Sequence, residues 1–260
     1  MVTPYDVIYD GNPHTATGTA TGVKSESLSG LDLSGTTRTN ASFYVDSWTF
    51  TDATGNYKTA GGTVSDTITQ AVLSVNAVAA SKTYGATDPA FANTLSGFVN
   101  GEDTTTALVT GTTACTRTAG ASVVGSPYTI TCAAGTLAAP NYSFVTGSTA
   151  NFTIGKKTAS VTPNAASKTY GDLDPAFTGT LTGFLAADGV TATYSRTAGE
   201  TVLGSPYTIS AVLSPAGVLS NYDITYKTAD FTITKRPVEM GAVADISHSR
   251  SSITAPHVRP

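Results

Sequence analysis

Apolar and polar residues alternate with a period of two through much of the chain. Leu73, Val75 and Ala77 fall on one face of an extended segment, and Ser74 and Asn76 on the other. Ala159, Val161 and Pro163 stand against Ser160 and Thr162 in the same way. Tyr128, Ile130 and Cys132 alternate with Thr129 and Thr131, and Tyr207, Ile209 and Ala211 with Thr208 and Ser210. Successive side chains of a strand point to opposite faces, so this pattern predicts strands with one buried face. Tyr44, Trp48 and Phe50 share a face interrupted by Asp46. Closing strands are predicted at 63–69, 152–154 and 231–233. No segment sustains a strong apolar period near 3.6. Residues 102–108 are the one place where a short helical turn is expected.

The strands recur in order. Lys82-Thr-Tyr-Gly-Ala-Thr-Asp-Pro-Ala-Phe91 returns 86 residues later as Lys168-Thr-Tyr-Gly-Asp-Leu-Asp-Pro-Ala-Phe177. Arg117-Thr-Ala-Gly120 and Gly125-Ser-Pro-Tyr-Thr-Ile130 return 79 residues later, at Arg196 and Gly204. Asn141-Tyr142 is matched by Asn221-Tyr222. The changed offset places an insertion in one copy between Phe91 and Arg117. A period near 80 residues exceeds the roughly 20–50 of a solenoid and suits small domains in tandem. The boundaries expected are 1–70, 71–156 and 157–235, followed by a disordered tail, 236–260. In the first segment only Val2 and Thr3 stand where the later copies place a full opening strand. The tail begins a fourth copy with Arg236-Pro237-Val238 and leaves it unfinished. Both features suggest a piece of a longer protein. One or two residues link successive modules, so an elongated array is expected.

Composition narrows the partners. The net charge is −4 and charged residues are 12%, against a usual share of roughly 25%. No basic stripe offers a nucleic-acid surface. No apolar run reaches the roughly 18 residues of a membrane span. The N-terminus carries no charged-then-apolar export signal.

Lys-x-Tyr-Gly-x-x-Asp-Pro, followed by Arg-Thr-Ala-Gly, Gly-x-Pro-Tyr-x-Ile, Asn-Tyr and Phe-Thr-Ile, resembles the bacterial MBG domains of the YGX type. The first segment, with Tyr9-Asp10-Gly11-Asn12-Pro13-His14-Thr15-Ala16, resembles the companion YDG-type domain. The resemblance covers about 1–235. It implies β-rich modules repeated in large secreted or surface-attached, often adhesin-like, bacterial proteins. It transfers no catalytic residue.

Cys115 and Cys132 flank a predicted hairpin centred on its connection, so they can face each other across antiparallel strands. A disulfide is expected, with two buried free thiols as the alternative. The equivalent positions in the next copy are Tyr194 and Ala211. Lys82 with Asn151, and Lys168 with Asp230, invite comparison with self-formed isopeptide bonds. The plainer reading is solvated side chains. Asp172 and Asp174 are read as turn residues rather than calcium ligands, because calcium wants six to eight oxygens. Tyr84, Gly85, Asp88 and Pro89, with Tyr170, Gly171, Asp174 and Pro175, are expected to be structural. The two tyrosines would be hydrogen-bonded clamps. Trp48 with Tyr44 is the candidate sugar-stacking platform, against simple core packing.

The reading is an all-β chain of tandem immunoglobulin-like antiparallel sandwiches. β-Grasp-like modules with one short helix are the alternative. Function is expected to be that of a non-enzymatic stalk segment of an extracellular or cell-surface protein, without cofactor or metal. Its partners would be neighbouring modules. The rival is an adhesin module gripping a glycan or protein.

Overall fold

The computed structural model describes residues 1–240. The chain divides into two compact units. The first comprises Met1–Ala159, Gly183–Val190 and Pro215–Ile224; the second comprises Ser160–Thr182, Thr191–Ser214 and the chain from Thr225 onward. Two stretches of the second repeat, 183–190 and 215–224, thus belong to the first unit.

The first segment contains β1 (Val2–Thr3), β2 (Asp6–Ile8), β3 (Thr17–Gly18), β4 (Ala20–Thr21), β5 (Ser27–Leu28), β6 (Leu31–Asp32), β7 (Ser42–Phe50) and β8 (Ala60–Thr69). Its main sheet has the order β2-β8-β7-β6, with β1-β3 and β4-β5 as two-stranded pairs. The long ladder of β7 and β8 runs from Ser42 opposite Ile68 to Phe50 opposite Ala60. Asp46, the break in the apolar face, is buried, and Arg38 pairs with it at 2.5 Å. A buried carboxylate is tolerated where a cation and hydrogen bonds compensate it. The face is continuous; its polar member is neutralised.

The first repeat contains β9 (Ala71–Ala77), β10 (Ala80–Thr83), β11 (Asn93–Ser96), β12 (Ala114–Arg117), β13 (Tyr128–Ala133), β14 (Tyr142–Thr146) and β15 (Ala150–Gly155). They form two sheets, β10-β15-β13-β12 and β11-β9-β14. Val75 from the second sheet packs against Ile130, Cys132, Phe152 and Ile154 from the first. This is a two-layer β-sandwich core. Each sheet is mixed: β10 runs parallel to β15, and β9 to β14. Pure antiparallel pairing, expected from the short alternating strands, therefore gives way to one parallel pair per sheet. Alternation reports which face is buried, not the direction of the partner strand. Residues 102–108 form turns, one of them closed by an i to i+4 bond from Ala107 N–H to Asp103 O at 2.9 Å, so the expected helical turn is present but does not continue into a helix. They lie in the longer loop that accounts for the changed repeat offset.

In the second repeat the strands are β16 (Lys157–Pro163), β17 (Ala166–Thr169), β18 (Gly179–Thr182), β19 (Thr191–Arg196), β20 (Tyr207–Ser214), β21 (Tyr222–Tyr226) and β22 (Ala229–Thr234). The second unit holds the sheet β17-β22-β20-β19, again with a parallel pair, β17 and β22. Ile209, Phe231 and Ile233 are its buried centre. The only α-helix among the described residues is Ala216–Leu219. Residues 236–240 carry no regular secondary structure; the rest of the expected tail lies outside the described residues.

Candidate functional site

Three constructions stand out: an ion clamp on each repeat, a carboxylate–tyrosine joint used twice within the first unit, and a groove beside Trp48.

The clamp gathers the motif blocks. Asp88 accepts Arg117 Nε at 2.6 Å and Lys82 Nζ at 2.7 Å. Arg117 also donates to the carbonyls of Thr118 and Gly120, both at 2.8 Å. Its guanidinium lies 4.7 Å from the Phe152 ring centre and 5.3 Å from that of Tyr128. The second repeat rebuilds the cluster. Asp174 binds Arg196 at 2.6 Å and Lys168 at 2.7 Å, and Glu200 joins both cations. Arg196 lies 4.6 Å from the Phe231 ring centre. A desolvated guanidinium over an aromatic face is attracted by the ring quadrupole. The clamp thus plugs each sandwich core with a paired charge.

The glycine of Arg-Thr-Ala-Gly has a direct cause. Gly120 and Gly199 have φ of +145°, and a Cβ on either would stand 2.0 Å from a ring carbon of Tyr128 or Tyr207. Those tyrosine hydroxyls donate to Ser122 O at 2.9 Å and Thr201 O at 3.0 Å. The clamp also settles the lysines. Lys82 and Lys168 side chains are only 11% and 6% exposed, so the expectation of solvated lysines is corrected. Their ammonium groups are committed to carboxylates, while Asn151 and Asp230 face solvent. Asp172 pairs with Arg236, and both oxygens of Asp174 are taken by cations.

Asp88 and Asp174 are held down at about 2, chiefly by the arginine hydrogen bond and next by the lysine. An unfolded aspartate titrates near ~3.9. The folded value is the lower one, so the stabilisation is complete above about pH 4 and is lost as pH falls towards about 2. Thermal midpoints measured across this window should drop in the native chain and flatten in the Asp88→Asn, Asp174→Asn double variant. An identical pH profile in the two proteins would show that the clamps do not stabilise the fold.

The joint links the Tyr-Gly block of one segment to the next. Tyr9 donates to Glu102 Oε1 at 2.6 Å, and Tyr142 donates to the other oxygen. The two rings meet edge to face at 5.4 Å. Asn141 Oδ1 accepts the N–H of Ala41 at 2.8 Å. The arrangement repeats at the next boundary. Tyr84 donates to Asp188 at 3.1 Å, Tyr222 donates to the same carboxylate, and their rings meet at 5.4 Å. Asn221 Oδ1 accepts the N–H of Val123 at 2.9 Å. Gly85 has φ of +81°, and a Cβ there would lie 2.5 Å from Leu185. Burial, then the carboxylate hydrogen bond, pushes Tyr142 and Tyr222 up to about 12. The Asn-Tyr repeat is legible in the sequence, whereas Glu102 and Asp188 sit in loops of different length and share no motif that marks them. Tyr84 is a hydrogen-bonded tyrosine. Tyr170 is not, among the described residues, and it is 51% exposed.

Cys115 and Cys132 stand directly opposite in the β12–β13 ladder and form a disulfide. Tyr194 and Ala211 face each other at the matching position of β19 and β20. Trp48 and Tyr44 do not form one platform. The Tyr44 hydroxyl donates to Asn40 O at 2.8 Å, and Arg38 lies over its ring at 5.1 Å. Half-buried Trp48 instead lines a groove of about 330 Å³ with Leu28, Leu31, Phe50 and Tyr57.

Duplicated β-sandwiches, each plugged by the same ion clamp and fitted with the same joint residues, define a tandem-repeat protein of small all-β modules. The family model for the MBG domain (YGX type) matches residues 73–153 and 159–232, and the chain belongs to this family. Comparison with curated proteins gives no match.

Proposed function

We propose that the chain is a non-enzymatic spacer segment of a bacterial secreted or cell-surface, adhesin-like protein. Family membership supports a repeat module of large surface proteins, and the disulfide suits an oxidising compartment. The observation that carries the spacer role is the joint. The same Tyr–carboxylate–Tyr bridge and the same Asn-to-backbone bond recur at both boundaries. Such repetition serves to fix one module on the next. Residues 1–70 fit a YDG-type module in this reading, because Tyr9-Asp10-Gly11 supplies the joint tyrosine that Tyr84-Gly85 supplies later.

The test is NMR relaxation on the full chain. Residues 1–70 and 71–156 should share one rotational correlation time, and Glu102→Ala should separate the two values. Independent tumbling already in the native chain would overturn the spacer reading. A second reading rests on the groove at Trp48, whose apolar walls suit an adhesin contact. Saturable binding to mucin, a glycan panel or matrix proteins, abolished by Trp48→Ala, would favour it.

A further inference from the structure

Each joint has two halves. The receiving half is the Tyr-Gly tyrosine, its glycine and a backbone N–H: Tyr9, Gly11 and Ala41, then Tyr84, Gly85 and Val123. The inserting half is an apolar residue, an acid three positions on, and an Asn-Tyr pair. These are Val99, Glu102 and Asn141-Tyr142, then Leu185, Asp188 and Asn221-Tyr222. In both, the tyrosine hydroxyl accepts the N–H of the apolar residue, at 3.1 Å for Val99 and 2.9 Å for Leu185.

The chain carries one further copy of each half. Val23, Glu26 and Asn56-Tyr57 have the inserting pattern. The Tyr57 hydroxyl donates to Glu26 Oε1 at 2.5 Å and accepts the Val23 N–H at 3.0 Å. Glu26 Oε2 accepts only the Lys24 N–H, at 2.8 Å, among the described residues. Val23 is 90% exposed, where Val99 and Leu185 are half-buried. Tyr170, Gly171 and Val202 have the receiving pattern. The Tyr170 ring is half exposed, Leu173 and Leu203 beside the set are almost fully exposed, and the Val202 N–H has no partner among the described residues. Arg236 lies 3.5 Å from the Cβ position of Gly171, the place Leu185 takes over Gly85.

We propose that these halves are complementary and that a second copy of this chain docks by them, head to tail. Tyr170 of one copy donates to Glu26 of the next, Asn56 accepts the Val202 N–H, and Val23 displaces the exposed Arg236 side chain over Gly171. The contact is heterologous, so its repetition builds a ring or an open filament from several copies. The inference rests on the joint geometry and stands apart from the spacer role, which the relaxation experiment tests within one chain.

Sedimentation equilibrium on the full chain, from about 10 µM to about 1 mM, tests it. The native protein should show concentration-dependent growth beyond the dimer. Tyr170→Ala and Glu26→Ala should each lower the association constant about tenfold or more, the loss expected for a charge-assisted hydrogen bond and its ring contact. Mixed together, the two variants should form 1:1 dimers and nothing larger, since each keeps one intact half. Arg236→Ala should strengthen association. Circular dichroism establishes that each variant is folded, which matters most for half-buried Glu26, since it also holds the Tyr57 hydroxyl. A monomer at all concentrations, a closed dimer, or association indifferent to both variants would overturn the proposal.

Discussion

Replacing Phe231 by alanine is expected to cost about 3–5 kcal/mol, the range for deleting a buried aromatic ring. Its ring has no solvent exposure. Phe177 meets it edge-on at 5.5 Å and Arg196 covers its face. Removing it leaves a cavity and takes away the surface on which the clamp rests. Small domains are stable by about 5–15 kcal/mol in total, so the second unit should lose most of its stability. Urea unfolding followed by circular dichroism gives the magnitude, and hydrogen exchange places it on β17, β20 and β22. Phe152→Ala should do the same to the first repeat, where Phe91 stands edge-on at 5.6 Å. A loss below about 0.5 kcal/mol would contradict a core organised on this ring, since that is the scale of ordinary surface changes.

Reducing the disulfide should be nearly as costly and strictly local. The cysteines are 17 residues apart, a loop for which restraint of the unfolded chain contributes about 3 kcal/mol. The second repeat has no such bond. Tyr194 there reaches across, and a Cβ on Gly179 would lie 2.6 Å from its ring. One module fills the position with a cross-link and the other with an aromatic ring. Hydrogen exchange with and without reductant should therefore show faster opening of β12, β13 and β15 and leave β19, β20 and β22 unchanged. Equal effects on both repeats would mean that reduction acts through something other than this bond.

Much of the fold was legible because strand burial is a short-range code. Val75, Ile130, Phe152, Val161, Ile209 and Phe231 all fall on predicted inward positions and are fully buried. The two-copy organisation followed from the repeated blocks. What the blocks do was less legible. Asp88 and Asp174 read as turn residues and Lys82 and Lys168 as solvated, because nothing local says that an arginine from another strand will meet them. Asp46 interrupts an apolar face in the sequence, and only the fold brings Arg38 to it.

Read alone, the sequence carries the class of structure: β-modules, their number in the repeated region, the inward face of each strand, and cysteines placed to meet across a hairpin. The folded chain was needed to show which strands run parallel, which charges are paired, and that Tyr84 finds Asp188 across 104 residues while the Tyr170 hydroxyl has no partner among the described residues. The physical reason is range. Alternation is enforced by each residue on its neighbours through the geometry of an extended backbone. A hydrogen bond between loops of successive repeats exists only once both sandwiches have folded and set those loops face to face.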